Sequence, residues 1–341
     1  MTSEEKSFLF KDIKEYNKYL LTLVCCLILV LTGVISYAVT NSYAKWNSGY
    51  VSKNIIKLSV KSGMDATKFA TKTVGTNGLE PITHTIDNTL QVDSKFATEY
   101  RYRGGDSVVR NYVTFNNEIW RIIGIIPTED TNDNVENRIK IIRNTSIGDM
   151  KWNGTSSNNW TTSTLNTYLN NTYYNTLTTD AKNMIGTAKY YLGGYKDYPS
   201  FTSDVMWQYE RKNDANKTRY YIGINPIMQN DANKKIEIMY ASDYGYAASK
   251  GCTSNLYEYE KSASCITTNN WLDKSAYTWL LPQSSDYSDG AFSVSSAGYV
   301  GNNYSVNSYE YAVRPVLYLS SNVKILSGEG TSQKPYQLSI S

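Results

Sequence analysis

Cys252 and Cys265 are the pair best suited to covalent chemistry, because the only other cysteines, Cys25 and Cys26, lie in an apolar run. An isolated pair at this spacing reads as a disulfide in an oxidising compartment; the alternative is two free thiols. A zinc site would ask for more ligands, and no His or further Cys stands near. Asp130, Asn132 and Asn134 place side-chain oxygens on alternate residues, as the opening of a calcium loop does. The pattern then breaks, with Val135 where the turn glycine belongs and Ile141 where the closing glutamate belongs. Thr128–Glu136 is therefore read as a solvated hairpin loop, and calcium is the one cofactor the sequence offers. Asp286 and Asp289 suit turn chemistry.

Acid–base catalysis by paired carboxylates needs two acids in one cleft. Glu118, Asp204, Glu210 and Asp243 are available, but their spacing does not pair them. His84, the single histidine, has no Ser or Cys partner in a recognisable motif. There is no nucleophile elbow and no phosphate-binding glycine loop. No catalytic residue is assigned, and an enzyme is the less favoured class. Trp120, Trp207, Trp271 and Trp279 are read as core. Trp152 and Trp160, in Asn/Ser-rich stretches, are candidates for exposure and ligand contact. Arg314 sits in an apolar strand. If buried it needs a partner, for which Asp243 or Glu310 would serve, and otherwise it is a candidate contact for a ligand anion.

The elements that must position these residues begin with a membrane segment. Residues 19–40 are long and apolar enough to cross a bilayer as a helix. Residues 1–18 are expected to be a cytoplasmic tail, 41–98 an extracytoplasmic stalk and 99–341 an α+β domain. Charge on the two flanks is nearly even, so the orientation rests on the short leading tail and the large trailing domain. The apolar run exceeds an ordinary signal peptide, although Ser36-Tyr-Ala38 and Ser42-Tyr-Ala44 offer cleavage sites that would yield a secreted form.

Tyr112–Ile126 reads as a β-hairpin turning at Asn116–Asn117, with Arg138–Arg143 as a third strand. Ser163–Tyr174 and Thr179–Tyr191 follow helical patterns. Ile236–Asp243 resumes as a strand, and short strands follow at 277–281, 290–294, 297–300 and 312–319. Strands and helices without regular alternation predict a mixed, mainly antiparallel sheet with two or more helices. Hydrophobic residues at 41% and charged residues at 19% allow a real core. Net charge is +3 without a Lys/Arg cluster, which argues against nucleic acid as a partner. The 31 tyrosines suit β-rich surfaces and binding faces; drift in an A/T-rich genome is the alternative.

Glu99-Tyr-Arg-Tyr-Arg-Gly-Gly105, Trp120-Arg-Ile-Ile-Gly124, Asn166-Thr-Tyr-Leu169, Lys189-Tyr-Tyr-Leu-Gly-Gly194, Ser242-Asp-Tyr-Gly-Tyr-Ala247, Asn270-Trp271 and Val313-Arg-Pro-Val-Leu-Tyr-Leu319 occur in that order. As a set, over about Glu99–Ser339, they resemble an uncharacterised domain of surface proteins in low-GC bacteria. More distantly the domain is similar to the formylglycine-generating-enzyme and C-type-lectin group of folds, with Ala312-Val-Arg-Pro315 in the place of that group's late Gly-Phe-Arg-like strand. The resemblance implies a C-type-lectin-like fold at the cell surface. Catalysis does not carry over, because no cysteine follows Cys265. The expected function is a single-pass, membrane-anchored extracytoplasmic module binding a glycan, polymer or protein. The alternatives are an envelope-modifying hydrolase and a structural surface-coat protein.

Overall fold

Apolar length alone builds the first element, α1 (Lys14–Thr32), a 19-residue helix of mean hydropathy 1.4 that is long and apolar enough to cross a membrane. Its two threonine hydroxyls bond inside the helix: Thr22 donates to the Lys18 carbonyl at 2.8 Å and Thr32 to that of Ile28 at 2.9 Å. Such back-bonding suits a helix with no water beside it. The computed structural model describes residues 14–32, 34–35, 63–90, 92–129, 134–195, 200–211, 227–228 and 235–340. The helix thus starts before the expected residue 19, and residues 36–40 of the expected span lie outside the described residues. The chain divides into two units, Met1–Ser62 and Gly63–Ser341.

Five strands open the second unit: β1 (Leu79–Thr83), β2 (Thr98–Tyr102), β3 (Tyr112–Phe115), β4 (Glu118–Glu129) and β5 (Val135–Arg143). Next come β6 (Asp149–Met150) and the pair β7 (Lys189–Tyr190) and β8 (Ile227–Met228). The C-terminal part supplies β9 (Thr278–Gln283), β10 (Gly290–Val294), β11 (Val300–Ser305), β12 (Tyr311–Ala312) and β13 (Val316–Tyr318). A final hairpin pairs β14 (Val323–Ser327) with β15 (Gln337–Ile340). One sheet runs β1-β2-β4-β5-β13, with β3 also on β4; the other runs β11-β10-β9-β12-β6. All these pairings are antiparallel except β12 on β9. The architecture is α+β, as expected.

The β3–β4 hairpin turns at Asn116 and Asn117, with φ of 54° and 57°. Asparagine tolerates that left-handed pair better than most residues, and the turn's twist matches the strands it joins. β4 follows with Trp120, Ile122, Ile123, Ile125 and Ile126 all buried.

Three expectations need correction. Residues 63–98 are not a stalk. They supply α2 (Ala66–Thr73), capped by Asp65, and β1, which pairs with β2 from Leu79↔Tyr102 to Thr83↔Thr98. The segment looks polar because its core residues are few, but Phe69, Ala70, Leu79, Leu90, Val92 and Phe96 are all buried. Residues 41–62 lie outside the described residues. A helical run over 164–176 matches expectation as α3 (Thr164–Thr167, continued by a π-helical stretch and a last α turn). The next helix, α4 (Thr179–Met184), stops early, and Lys189–Tyr190 is a strand. Finally, Ile236–Asp243 is not a strand: Glu237 makes one bridge to Val316 before α6 (Ala241–Ala247) begins. Helix α5 (Ser203–Arg211) precedes it, in a stretch for which no element was expected.

Cys252 and Cys265 form a disulfide around the turn Leu256–Lys261. Leu256 and Tyr259 of that turn are buried, so the bridge closes a loop that also carries core. Replacing both cysteines by alanine should lower the unfolding free energy by roughly 3 kcal/mol in the chain-entropy picture. Denaturant titration of the pair of proteins measures it, and coincident curves would contradict the assignment.

Candidate functional site

Alternation along β2 puts Glu99 and Arg101 on one face of the first sheet. In the ladder Arg101 lies opposite Gly124, and Gly124 opposite Lys140. Gly124 has no side chain to separate the two cations, and its backbone is so close to β2 that a Cβ would sit 2.2 Å from the Tyr100 carbonyl oxygen. Both cations converge on Asp243 of α6: Arg101 donates through Nη1, and Lys140 Nζ donates to Oδ2 at 2.6 Å. The same Oδ2 accepts from the Tyr240 amide at 2.9 Å, which caps the helix. Arg101 Nε donates to Glu99 Oε1 at 2.7 Å.

His84 extends this chain toward the surface. Its ring stacks on Trp207 with centroids 3.6 Å apart, Nε2 lies 3.1 Å from Glu99 Oε1, and Nδ1 lies 2.8 Å from Asp204 Oδ1. The Tyr246 hydroxyl donates to the same Asp204 oxygen at 3.2 Å. Asp204 is the exposed end, with its side chain 42% accessible, whereas Glu99, Arg101, Lys140 and Asp243 are sealed. Burial alone would raise the Glu99 and Asp243 carboxyls. For Glu99, Arg101 and His84 outweigh it and hold the carboxyl well below the usual range; for Asp243, Lys140 and Arg101 outweigh it and lower the carboxyl. Burial pushes Lys140 down to about 8, helped by Arg101 against the pull of Asp243. Burial raises Glu210 to about 7, against Arg211 and the bonds from Ser242.

Sequence spacing left these acids unpaired and placed His84 in a stalk. The fold brings His84, Glu99, Asp204 and Asp243 into one chain, with Glu210 reached through Arg211 and Ser242. Glu118 lies apart, bound to Arg143 at 2.7 Å. General-base work needs a ring nitrogen facing the substrate, and both nitrogens of His84 face carboxylates. His84 thus joins Glu99 to Asp204 within the network.

The expected ligand contacts fall elsewhere. Trp152 and Trp160 are fully buried, 4.8 Å apart, and cannot meet a ligand. Trp152 Nε1 donates to the Leu280 carbonyl at 3.1 Å, and Trp160 Nε1 donates to Glu237. Their Asn-rich connection is itself interior: Asn158 is buried, its amide 2.9 Å from the carbonyls of Ser284, Tyr287 and Gly290. Arg314 is buried too, and neither Asp243 nor Glu310 pairs with it. It donates to the carbonyls of Arg143 and Leu272 at 3.0 and 3.3 Å. Burial and the nearby Arg121 push it down to about 9. Asp130 and Asn132 of the calcium pattern lie outside the described residues, and Asn134 is exposed. Among the described residues no group of three or more His, Cys, Asp or Glu could hold a metal.

A different set of residues faces outward. Tyr309 and Tyr311 alternate along the approach to β12, and Tyr277 immediately precedes β9 beside it. Their rings form a stack: Tyr277 lies 4.8 Å from Tyr311 at 23°, and Tyr309 lies 5.4 Å from Tyr311 at 17°. Tyr304 of β11 meets all three edge-on at 5.6–6.2 Å. Its ring covers Gly301, where a Cβ would come within 2.6 Å. Trp279 supports Tyr311 from within at 4.6 Å. The outer rings Tyr277 and Tyr309 are 38% and 47% exposed. Burial raises the Tyr304 and Tyr311 hydroxyls, which stay protonated donors. The alternation Tyr309-Glu-Tyr311 was the one sign of this face in the sequence. No protein-family model, curated protein or solved structure matches the chain.

Two outcomes follow from the buried charges. Arg101→Met should cost about 3–5 kcal/mol of stability, because it removes the guanidinium from buried Glu99, leaving it only His84, and one of the two cations from buried Asp243. The exposed pair Lys261–Glu258 is the comparison, and Lys261→Met should change denaturation curves little; equal effects would refute the difference. The folded Glu210 holds its proton more tightly than the unfolded chain, so its contribution is complete below about 4.5 and lost as pH rises to about 7. Glu210→Gln should remove that slope. Unfolding midpoints of the two proteins across this window should diverge with pH, and parallel curves would show that Glu210 does not titrate there.

Proposed function

We propose that this chain is a membrane-anchored, extracytoplasmic module that binds a surface glycan through the tyrosine stack of Tyr277, Tyr304, Tyr309 and Tyr311. The observation that carries the reading is the exposure of two aromatic rings, Tyr277 and Tyr309, where the chain enters the neighbouring strands β9 and β12. Tyr277 and Tyr309 leave ring surface in water while Tyr304 and Tyr311 pack against them, and clustered exposed aromatic rings suit a contact surface. A phenol ring offers an apolar face for the C–H side of a sugar and a hydroxyl for its polar rim. Because the rings already brace one another, little side-chain entropy is lost on binding. Helix α1 supports an anchor, with the N-terminus inside and Gly63–Ser341 outside. The disulfide supports an oxidising compartment. The ordered motifs that resemble surface-protein domains, and the α+β architecture, support a C-type-lectin-like assignment.

The test is a glycan array probed with the purified protein and with Tyr277→Ala/Tyr309→Ala. Saturable binding to a subset of glycans, weakened at least about tenfold by the double substitution, is expected. Both rings are partly exposed, so the variant should melt close to the wild type. Absence of saturable binding, or equal binding by the variant, would sink the proposal.

A further inference from the structure

The tyrosine stack continues across the second sheet. In the ladder Ala312 of β12 lies beside Thr278 of β9, Thr278 opposite Val294 of β10, and Val294 opposite Val300 of β11. Tyr311, Tyr277 and Tyr299 each come one position before Ala312, Thr278 and Val300, so they line up at one end of the sheet. Between them β10 continues into Ser295, whose amide donates to the Tyr299 carbonyl at 2.8 Å. Ser295 is small, and the Tyr304 ring bridges the interval: it meets Tyr277 at 6.2 Å, and its hydroxyl donates to that of Tyr299 at 3.4 Å. Tyr257 then meets Tyr299 edge-on at 5.4 Å. It belongs to the turn Leu256–Lys261, which the disulfide encloses.

Tyr309 and Tyr277 are exposed and Tyr304, Tyr299 and Tyr257 half-buried, whereas Tyr311 is buried and supports its neighbours. Ring surface in water thus extends across β12, β9, β10 and β11, roughly 14 Å at the ordinary strand spacing. A single terminal sugar, similar in size to one phenol ring, covers a fraction of that row; several linked sugars cover it. The only charged residues adjoining these tyrosines in sequence are two acids, Glu258 and Glu310. Glu258 lies 3.4 Å from Lys261, and Glu310 is exposed. Nothing in this row favours a phosphate- or uronate-bearing chain, and Glu310 opposes one.

We infer, on the glycan reading above, that the ligand is an extended, uncharged, β-1,4-linked polysaccharide, held at an internal stretch of several sugars along the row from Tyr309 to Tyr257. That linkage keeps successive sugars in a straight ribbon, with apolar C–H faces for the rings and hydroxyls along its edges for the phenol groups. Each further ring contact is made within one complex, so affinity grows with chain length until the row is filled.

Calorimetry on the full chain in nanodiscs tests this with β-1,4-linked glucose, N-acetylglucosamine and mannose series from disaccharide to hexasaccharide, and with β-1,4-linked mannuronate as the charged comparator. At least one neutral series should bind, tightening about tenfold or more from disaccharide to hexasaccharide. The mannuronate hexasaccharide should bind more weakly than the tightest neutral one. Tyr257→Ala, at the far end of the row, should remove most of the length gain, and Tyr257→Phe should keep it. The length series on the unsubstituted protein needs no variant, so the inference stays open to refutation if Tyr257→Ala unfolds. A disaccharide binding as tightly as its hexasaccharide, tighter binding of mannuronate, a length gain untouched by Tyr257→Ala, or no binding in any neutral series would each overturn the inference. The glycan reading itself survives those results wherever the array still shows saturable binding that is lost with Tyr277 and Tyr309.

Discussion

Arg101, held between Glu99 and Asp243, is the contact on which the rest of the second unit depends. A buried charge is costly unless its desolvation is offset by partners at hydrogen-bond distance. Here each charge in the sealed segment has such a partner. Arg101 bridges two acids, Asp243 receives two cations and a backbone amide, and His84 joins Glu99 to Asp204. The chain connects β2 and β5 of the first sheet to α6, and through His84 and Trp207 to α5. Arrangement of these elements is set by polar geometry, which tolerates little displacement, as much as by apolar contact.

Close packing follows from the same constraint. Helix α6 is buried along its whole length, and Gly245 lets it approach α5: a Cβ there would lie 2.3 Å from Ser203 Oγ. Gly124 does the equivalent work between β2 and β4. Around the ionic chain, aromatic rings fill the remaining space and add cation–π contacts, with Lys140 4.3 Å from the Tyr240 ring and Arg211 4.6 Å from that of Trp207. Tyrosine suits this interior because its ring packs while its hydroxyl finds a donor or acceptor, as Tyr240 does for the Tyr191 amide at 2.6 Å.

The same residue type serves the opposite purpose at the surface. Tyr277 and Tyr309 flank Tyr311 with their outer faces open, on strands whose inner residues are wholly buried.

Local sequence determined the apolar helix α1, the Asn116–Asn117 hairpin, the β4 and β5 strands, the α3 helix and the pairing of Cys252 with Cys265. Each of these depends on near neighbours: length of an apolar run, left-handed tolerance at a turn, alternation, helical spacing, or the absence of a competing thiol. Tertiary structure decided the rest. Residues 63–98 look like a polar linker because the apolar partners that bury Phe69 and Leu79 come from elsewhere in the chain. Trp152 and Trp160 look exposed because asparagines surround them, yet those asparagines hydrogen-bond to interior carbonyls. Glu99, Asp204 and Asp243 could not be grouped with His84, since their closest approach in sequence is the 15-residue separation of His84 from Glu99, while His84 meets Asp204 across 120 residues. Side-chain type is local information, but burial and charge partnership belong to the folded chain, because they depend on which distant strand or helix excludes the water.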